Sequence, residues 1–142
     1  MRLVVASVLV ALSVAPVAAA TETDSPVATK RIVRAWSERL NAYDNVGVAK
    51  LFARPTLIIQ SGVGLELRTT ADLVRWHRLL PCAGRIVSLT VKGEYATAVF
   101  VLRNGKNRRC DAPGVKAAAI FRVRNGKIVS WAQIPVPVGP VA

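Results

Sequence analysis

The chain has 142 residues, 52% of them hydrophobic, with 20 Lys or Arg against 8 Asp or Glu and a formal net charge of +12. That length suits one domain with one core. Two cysteines and one histidine exclude a cysteine-rich scaffold and supply no ligand-type spacing for zinc, so neither a metal nor a cofactor is expected.

Met1–Ala20 reads as a secretory signal peptide. Arg2 and the amino terminus are positive, Leu3–Ala15 is apolar, and Ala18-Ala19-Ala20 is a small-residue cleavage site. The alternative is an uncleaved anchor, since roughly 18 apolar residues can just span a bilayer. Ser7, Ser13, Pro16 and the alanine-rich end favour cleavage, and no later segment is apolar enough to cross a membrane. A secreted, periplasmic or cell-envelope location follows.

Without Arg2 the chain remains strongly basic, which favours weak, non-specific association with polyanions. The bases are scattered, and the densest cluster is Arg103, Lys106, Arg108 and Arg109. No aromatics interleave it to stack bases, so a solvated basic surface is expected and a specific nucleic-acid site is not.

Residues 21–28 are polar and read as a flexible arm. From Thr29, Ile32, Val33, Trp36 and Leu40 recur at helical spacing. Asp44 caps a second helix through Val48, Leu51 and Phe52, which Pro55 should stop. Thr56–Gln60 is a short strand, and Leu65–Arg68 a return strand. Thr70 should cap a third helix, Ala71–Leu80, with Leu73, Trp76, His77 and Leu80 on one face. Trp76 is expected to be partly wet there.

Gly84–Val91 and Tyr95–Arg103 form a hairpin, and Asn104–Gly114 is a basic loop. Asn125-Gly126 then turns a second hairpin within Ala117–Pro135. Strict pairing about that turn sets Phe121 opposite Ser130, Ile120 opposite Trp131 and Ala118 opposite Gln133. Residues 136–142 read as a disordered Pro-rich tail. Helices come early and strands late, which indicates α+β with helices on one face of a sheet.

Two cysteines in an exported chain are most simply one disulfide. In a meander the strand starting at Gly84 begins opposite the end of the Tyr95 strand, beside the start of the Ala117 strand. Cys82 and Cys110 then share one end of the sheet. Closing that loop contributes about 3.5 kcal/mol on the chain-entropy model.

Two stretches, WSERLNAYDNVGVAKLFA from Trp36 and FRVRNGKIVSW from Phe121, carry a resemblance to the nuclear transport factor 2-like superfamily, which includes ketosteroid isomerases and SnoaL-like cyclases. It covers Thr29–Ile134, so residues 29–135 are taken as that domain. It implies a cone-shaped, cystatin-like α+β roll, with three N-terminal helices on a curved, mainly antiparallel sheet around an apolar pocket.

Isomerases of that fold use a tyrosine on the first helix, an aspartate base on the first strand and a protonated acid near the start of the penultimate strand. The matching positions here are Trp36, Gln60 and Ala118 or Ala119. Gln60 cannot take a proton at neutral pH, and neither alanine donates from its side chain, so the isomerase proton-transfer set is missing. Cyclases use acids and histidine, and Gln133 is again an amide. His77 matches a pocket-facing tyrosine on the third helix. It is open to three readings: a core histidine, a ligand donor, or a weak candidate for a catalytic base.

Gln60 and Gln133 lie on otherwise apolar strand faces, where an amide needs a partner: His77, the Trp36 indole N–H, water or a ligand. The expected ligand-binding set is therefore Trp36, Gln60, His77, Trp131 and Gln133. The leading expectation is a secreted, non-catalytic binder of a small apolar molecule or a partner protein. The alternatives are a SnoaL-like enzyme using His77 as base, and a basic envelope-associated protein whose pocket is filled by side chains. A homodimer through the sheet face is a further partner open to it.

Overall fold

The computed structural model describes residues 24–139. The expected signal peptide, residues 21–23 of the arm and residues 140–142 of the tail lie outside them.

The first helix, α1 (Pro26–Asn41), starts ahead of the expected Thr29. Ser25 accepts a hydrogen bond from the Ala28 amide at 3.2 Å, and Pro26 follows it. A serine cap with proline in the first turn is a strong start signal that ends the arm early. Thr29, Val33, Trp36, Ser37 and Leu40 form its buried stripe.

Asp44 caps α2 (Asn45–Ala49) by accepting from the Gly47 amide at 2.8 Å. A Cβ on Gly47 would sit 1.9 Å from the Asp44 Oδ2, so the cap needs glycine there. The helix does not reach Phe52 as expected. Instead, strand β1 (Phe52–Gln60) runs straight through Pro55. Its register against the last strand shifts between Phe52 and Leu57, so Pro55 sits in an irregular stretch that needs no amide donor. Phe52, Thr56 and Ile58 are buried.

Strand β2 (Val63–Leu67) returns beside β1. Thr69, rather than Thr70, caps α3 (Thr70–Leu79), in a reciprocal capping box with Asp72. Four antiparallel strands follow: β3 (Ala83–Lys92), β4 (Tyr95–Arg103), β5 (Lys116–Arg124) and β6 (Lys127–Ile134). The single sheet has the order β2-β1-β6-β5-β4-β3, with only the β1–β6 pair parallel. The fold is α+β, helices packed on one face of a curved mixed sheet.

The last hairpin departs from strict pairing. Val123 opposes Ile128, but Arg122 opposes Ser130, so Val129 is an extra residue on β6. Beyond that bulge Phe121 faces Trp131 and Ala119 faces Gln133. The Thr56 hydroxyl, buried on β1, donates to the Val129 carbonyl at 2.9 Å and occupies an acceptor at the bulge. Trp131 thus joins Phe121, Val123 and Ile128 in the core rather than pairing with Ile120.

Cys82 and Cys110 are joined in a disulfide, their Cα atoms 4.4 Å apart. Val136, Pro137 and Gly139 of the tail line a shallow depression with Val87, Ser88, Val99 and Lys116. Among the described residues no helix is long and apolar enough to cross a membrane. The disulfide and this observation are compatible with an extracellular protein.

Candidate functional site

A cavity of about 340 Å³ opens between the C-terminal half of α1, the Leu80–Gly84 stretch and the inner face of β4, β5 and β6. Trp36, Gln60, Trp131 and Gln133, four of the five residues expected to bind a ligand, line it. Ala118 and Ala119, at the place of the isomerase acid, line it too.

His77 does not. It is fully buried, and the Trp36 indole N–H donates to its Nε2 at 3.1 Å. The opposite nitrogen, Nδ1, donates to the Leu73 carbonyl at 2.7 Å, one turn back on α3. These bonds assign the neutral Nδ1–H tautomer and leave no free lone pair. Burial pushes its pKa down to about 4, with the Arg108 guanidinium acting in the same direction against the raising effect of the Leu73 bond. Imidazole with both nitrogens engaged and no route to the cavity is a core group. The geometry is that of the core histidine, one of the three readings open to it: a helical wheel shows that a side chain points inward, not whether another ring stands between it and the cavity.

The aromatic floor explains the separation. The Trp36 ring meets Phe121 edge-on at 5.0 Å between centroids and Phe100 at 5.8 Å. Behind it, Trp76 packs on His77 at 4.5 Å and on Trp131 at 5.1 Å. Trp76, expected to be partly wet, is as buried as Trp131, at 6% exposure each.

The amides take partners other than those expected. Gln60 Oε1 accepts from the Trp76 indole N–H at 3.0 Å, and Gln133 Oε1 accepts from the Ser61 amide at 3.3 Å. Among the described residues neither amide nitrogen meets an acceptor, so each side chain keeps donors to offer at the cavity wall. Trp131 Nε1 is buried without a partner.

Of the basic cluster, Arg103, Lys106 and Arg109 are exposed, and Arg108 alone departs from a solvated position. Arg108 folds inward: its guanidinium donates to the Leu80 carbonyl at 2.6 Å and the His77 carbonyl at 3.3 Å, and lies 5.0 Å from the Tyr43 ring centroid. A cation on the last carbonyls of α3 satisfies acceptors that the helix end leaves open. Loop residue Asp111 also escaped the sequence reading. It lines the cavity with its carboxylate 3.2 Å from Cys82 Sγ. Its position beside Cys110 was the available signal, because the disulfide ties that residue to the sheet end. Cys82, Cys110 and Asp111 lie close together, but both sulfurs are committed to the disulfide, so the group offers only a carboxylate.

No family model matches the sequence, and no curated protein matches it. Solved structures do. A candidate polyketide cyclase from Sinorhizobium meliloti is 18% identical, with 73% of this chain and 94% of that chain covered, at a TM-score of 0.62. A candidate ketosteroid isomerase from Kribbella flavida is also 18% identical, with 84% and 86% covered, at 0.61. A nuclear transport factor 2-like protein of unknown function from Cytophaga hutchinsonii is 10% identical, with 75% and 88% covered, at 0.62. The fold is therefore the nuclear transport factor 2-like fold. That fold serves many chemistries, so function must be argued from the cavity.

Proposed function

We propose that the protein is an exported, non-catalytic binder of a small, mostly apolar molecule carrying one or two carbonyl or hydroxyl groups. The observation that carries this reading is the cavity itself. It is open rather than filled, and its walls are largely aliphatic and aromatic. The amide nitrogens of Gln60 and Gln133 at its wall have no acceptor among the described residues and are left to donate to a ligand oxygen. Its volume is at the small end of the roughly 300–1,000 Å³ typical of ligand sites. Among the described residues no Lys or Arg lines it, so a phosphate or carboxylate would enter without a counter-charge.

His77 supports the binding reading over the enzymatic one, since protonating it at neutral pH would break the Trp36 bond and charge a dry site. Export rests on the Met1–Ala20 pattern and on the disulfide.

Native mass spectrometry of protein from its own host, followed by titration with hydrophobic carbonyl compounds such as steroids or aromatic polyketides, tests the reading. Tryptophan fluorescence should change on binding, and Gln60→Leu should weaken it. If no compound perturbs the indoles and nothing co-purifies, the reading fails.

A further inference from the structure

The cavity has a sign. Among the described residues lining it, Asp111 is the only acid or base, in a chain with 20 Lys or Arg. The ion pairs among the described residues involve Glu66 and Glu94, and none reaches Asp111. Arg108, three residues before it in the same loop, has its guanidinium turned onto the Leu80 and His77 carbonyls. An unneutralised carboxylate therefore stands at the exposed edge of a cavity whose deeper wall contains Trp36, Phe100 and Trp131.

A carboxylate and aromatic rings favour the same partner. The ring quadrupole attracts a cation, and the carboxylate attracts it more directly. Arg109, exposed two residues before Asp111, opposes this locally, while the more distant surface bases act through solvent, where at physiological salt fields fall off over about 8 Å. A group held against Asp111 is inside that distance, while most of the surface is outside it. The amide nitrogens of Gln60 and Gln133 remain free for an oxygen on the same ligand.

We propose that the cavity takes an amphiphilic organic cation, its apolar body against the indoles and its ammonium group on Asp111. This rests on the reading that the cavity binds a small apolar molecule, and names the class that it prefers.

The test is a matched trio titrated by calorimetry into the full chain with its disulfide intact: 1-naphthylmethylamine, 1-naphthylmethanol and 1-naphthoate. The amine should bind about tenfold tighter than the alcohol, from one exposed ion pair plus ring contacts, and the carboxylate weakest. Asp111→Asn should remove the amine-over-alcohol ratio and Asp111→Glu should keep it. Higher ionic strength should shrink it. An alcohol that matches the amine in the unmodified protein, or a ratio that survives Asp111→Asn, overturns the inference and leaves the binding reading standing. Failure of all three to bind also overturns the inference, while the binding reading stands or falls on the co-purification and the steroid and polyketide titration.

Discussion

The aromatic floor and the open cavity above it are built from the same residue types, yet they differ in how completely their polar atoms are partnered. In the floor, Trp36, His77 and Leu73 form a closed chain of hydrogen bonds, and Arg108 occupies the carbonyls at the end of α3. Around the cavity, two amide nitrogens and the Asp111 carboxylate have no such partners. A histidine or tryptophan facing inward therefore says little about function. An unspent donor or charge beside open space says much more, because burying it unpaired would cost about 1–3 kcal/mol.

The largest effect should come from breaking the link between the two regions. Replacing Cys82 and Cys110 with serine frees the loop that carries both Arg108 and Asp111, and should cost about 3 kcal/mol in urea unfolding. A variant as stable as the parent would show that the loop is held by its other contacts alone.

Next is His77→Leu, which leaves the Trp36 indole N–H and the Leu73 carbonyl buried without their partner. A loss of about 2–3 kcal/mol is expected in chemical denaturation, while ligand affinity of the folded protein stays within about twofold. If affinity collapses with stability intact, His77 belongs to the cavity after all.

The comparison also shows what the sequence could reveal. The element order, the disulfide and four cavity residues were legible, because periodicity, turn residues and cysteine count are local signals. The side of β6 that Trp131 shares with Phe121 was not. It depends on the Val129 bulge, whose carbonyl is held by Thr56, a residue far away in the chain. The course of β1 through Pro55 was hidden for a similar reason. Proline reads locally as a stop, and only the register against β6 shows that its missing amide is not needed.

Acidity should separate the two regions next. The His77 pKa is near 4 in the fold against 6.5 unfolded, so the unfolded chain binds more protons between those values. Stability is therefore full above pH 6.5 and falls as pH drops toward 4, at up to about 1.4 kcal/mol per pH unit. Asp72, hydrogen-bonded by Thr69, and Glu94, bonded by Arg124 and Arg122, both have lowered pKa values. Their contributions are lost only at lower pH, below their ordinary values of 3.8 and 4.5. Urea midpoints across this range should show the upper slope vanish in His77→Leu; a slope that persists assigns it elsewhere.

The smallest effect is a contrast between two indoles. Trp36→Phe strands the His77 Nε2 and should cost about 1–3 kcal/mol, whereas the N–H removed in Trp131→Phe has no partner to lose. The second should cost less than the first by about 1 kcal/mol or more. Equal midpoints would mean that ring volume, not hydrogen bonding, sets both values.

The strand order carries one more consequence, for the sequence of events in folding. Among the described residues strand β6 comes last in the chain, yet it lies in the middle of the sheet, with β1 on one side and β5 on the other. Until it arrives, the β2–β1 ladder and the β5–β4–β3 ladder share no hydrogen bonds. A chain emerging from the ribosome can hold two partial sheets but cannot join them until Lys127–Ile134 is free to enter between them. Pairings so distant along the chain close slowly. The sheet is thus completed only when Lys127–Ile134 enters, and a chain cut before Lys127 would retain two ladders with nothing between them.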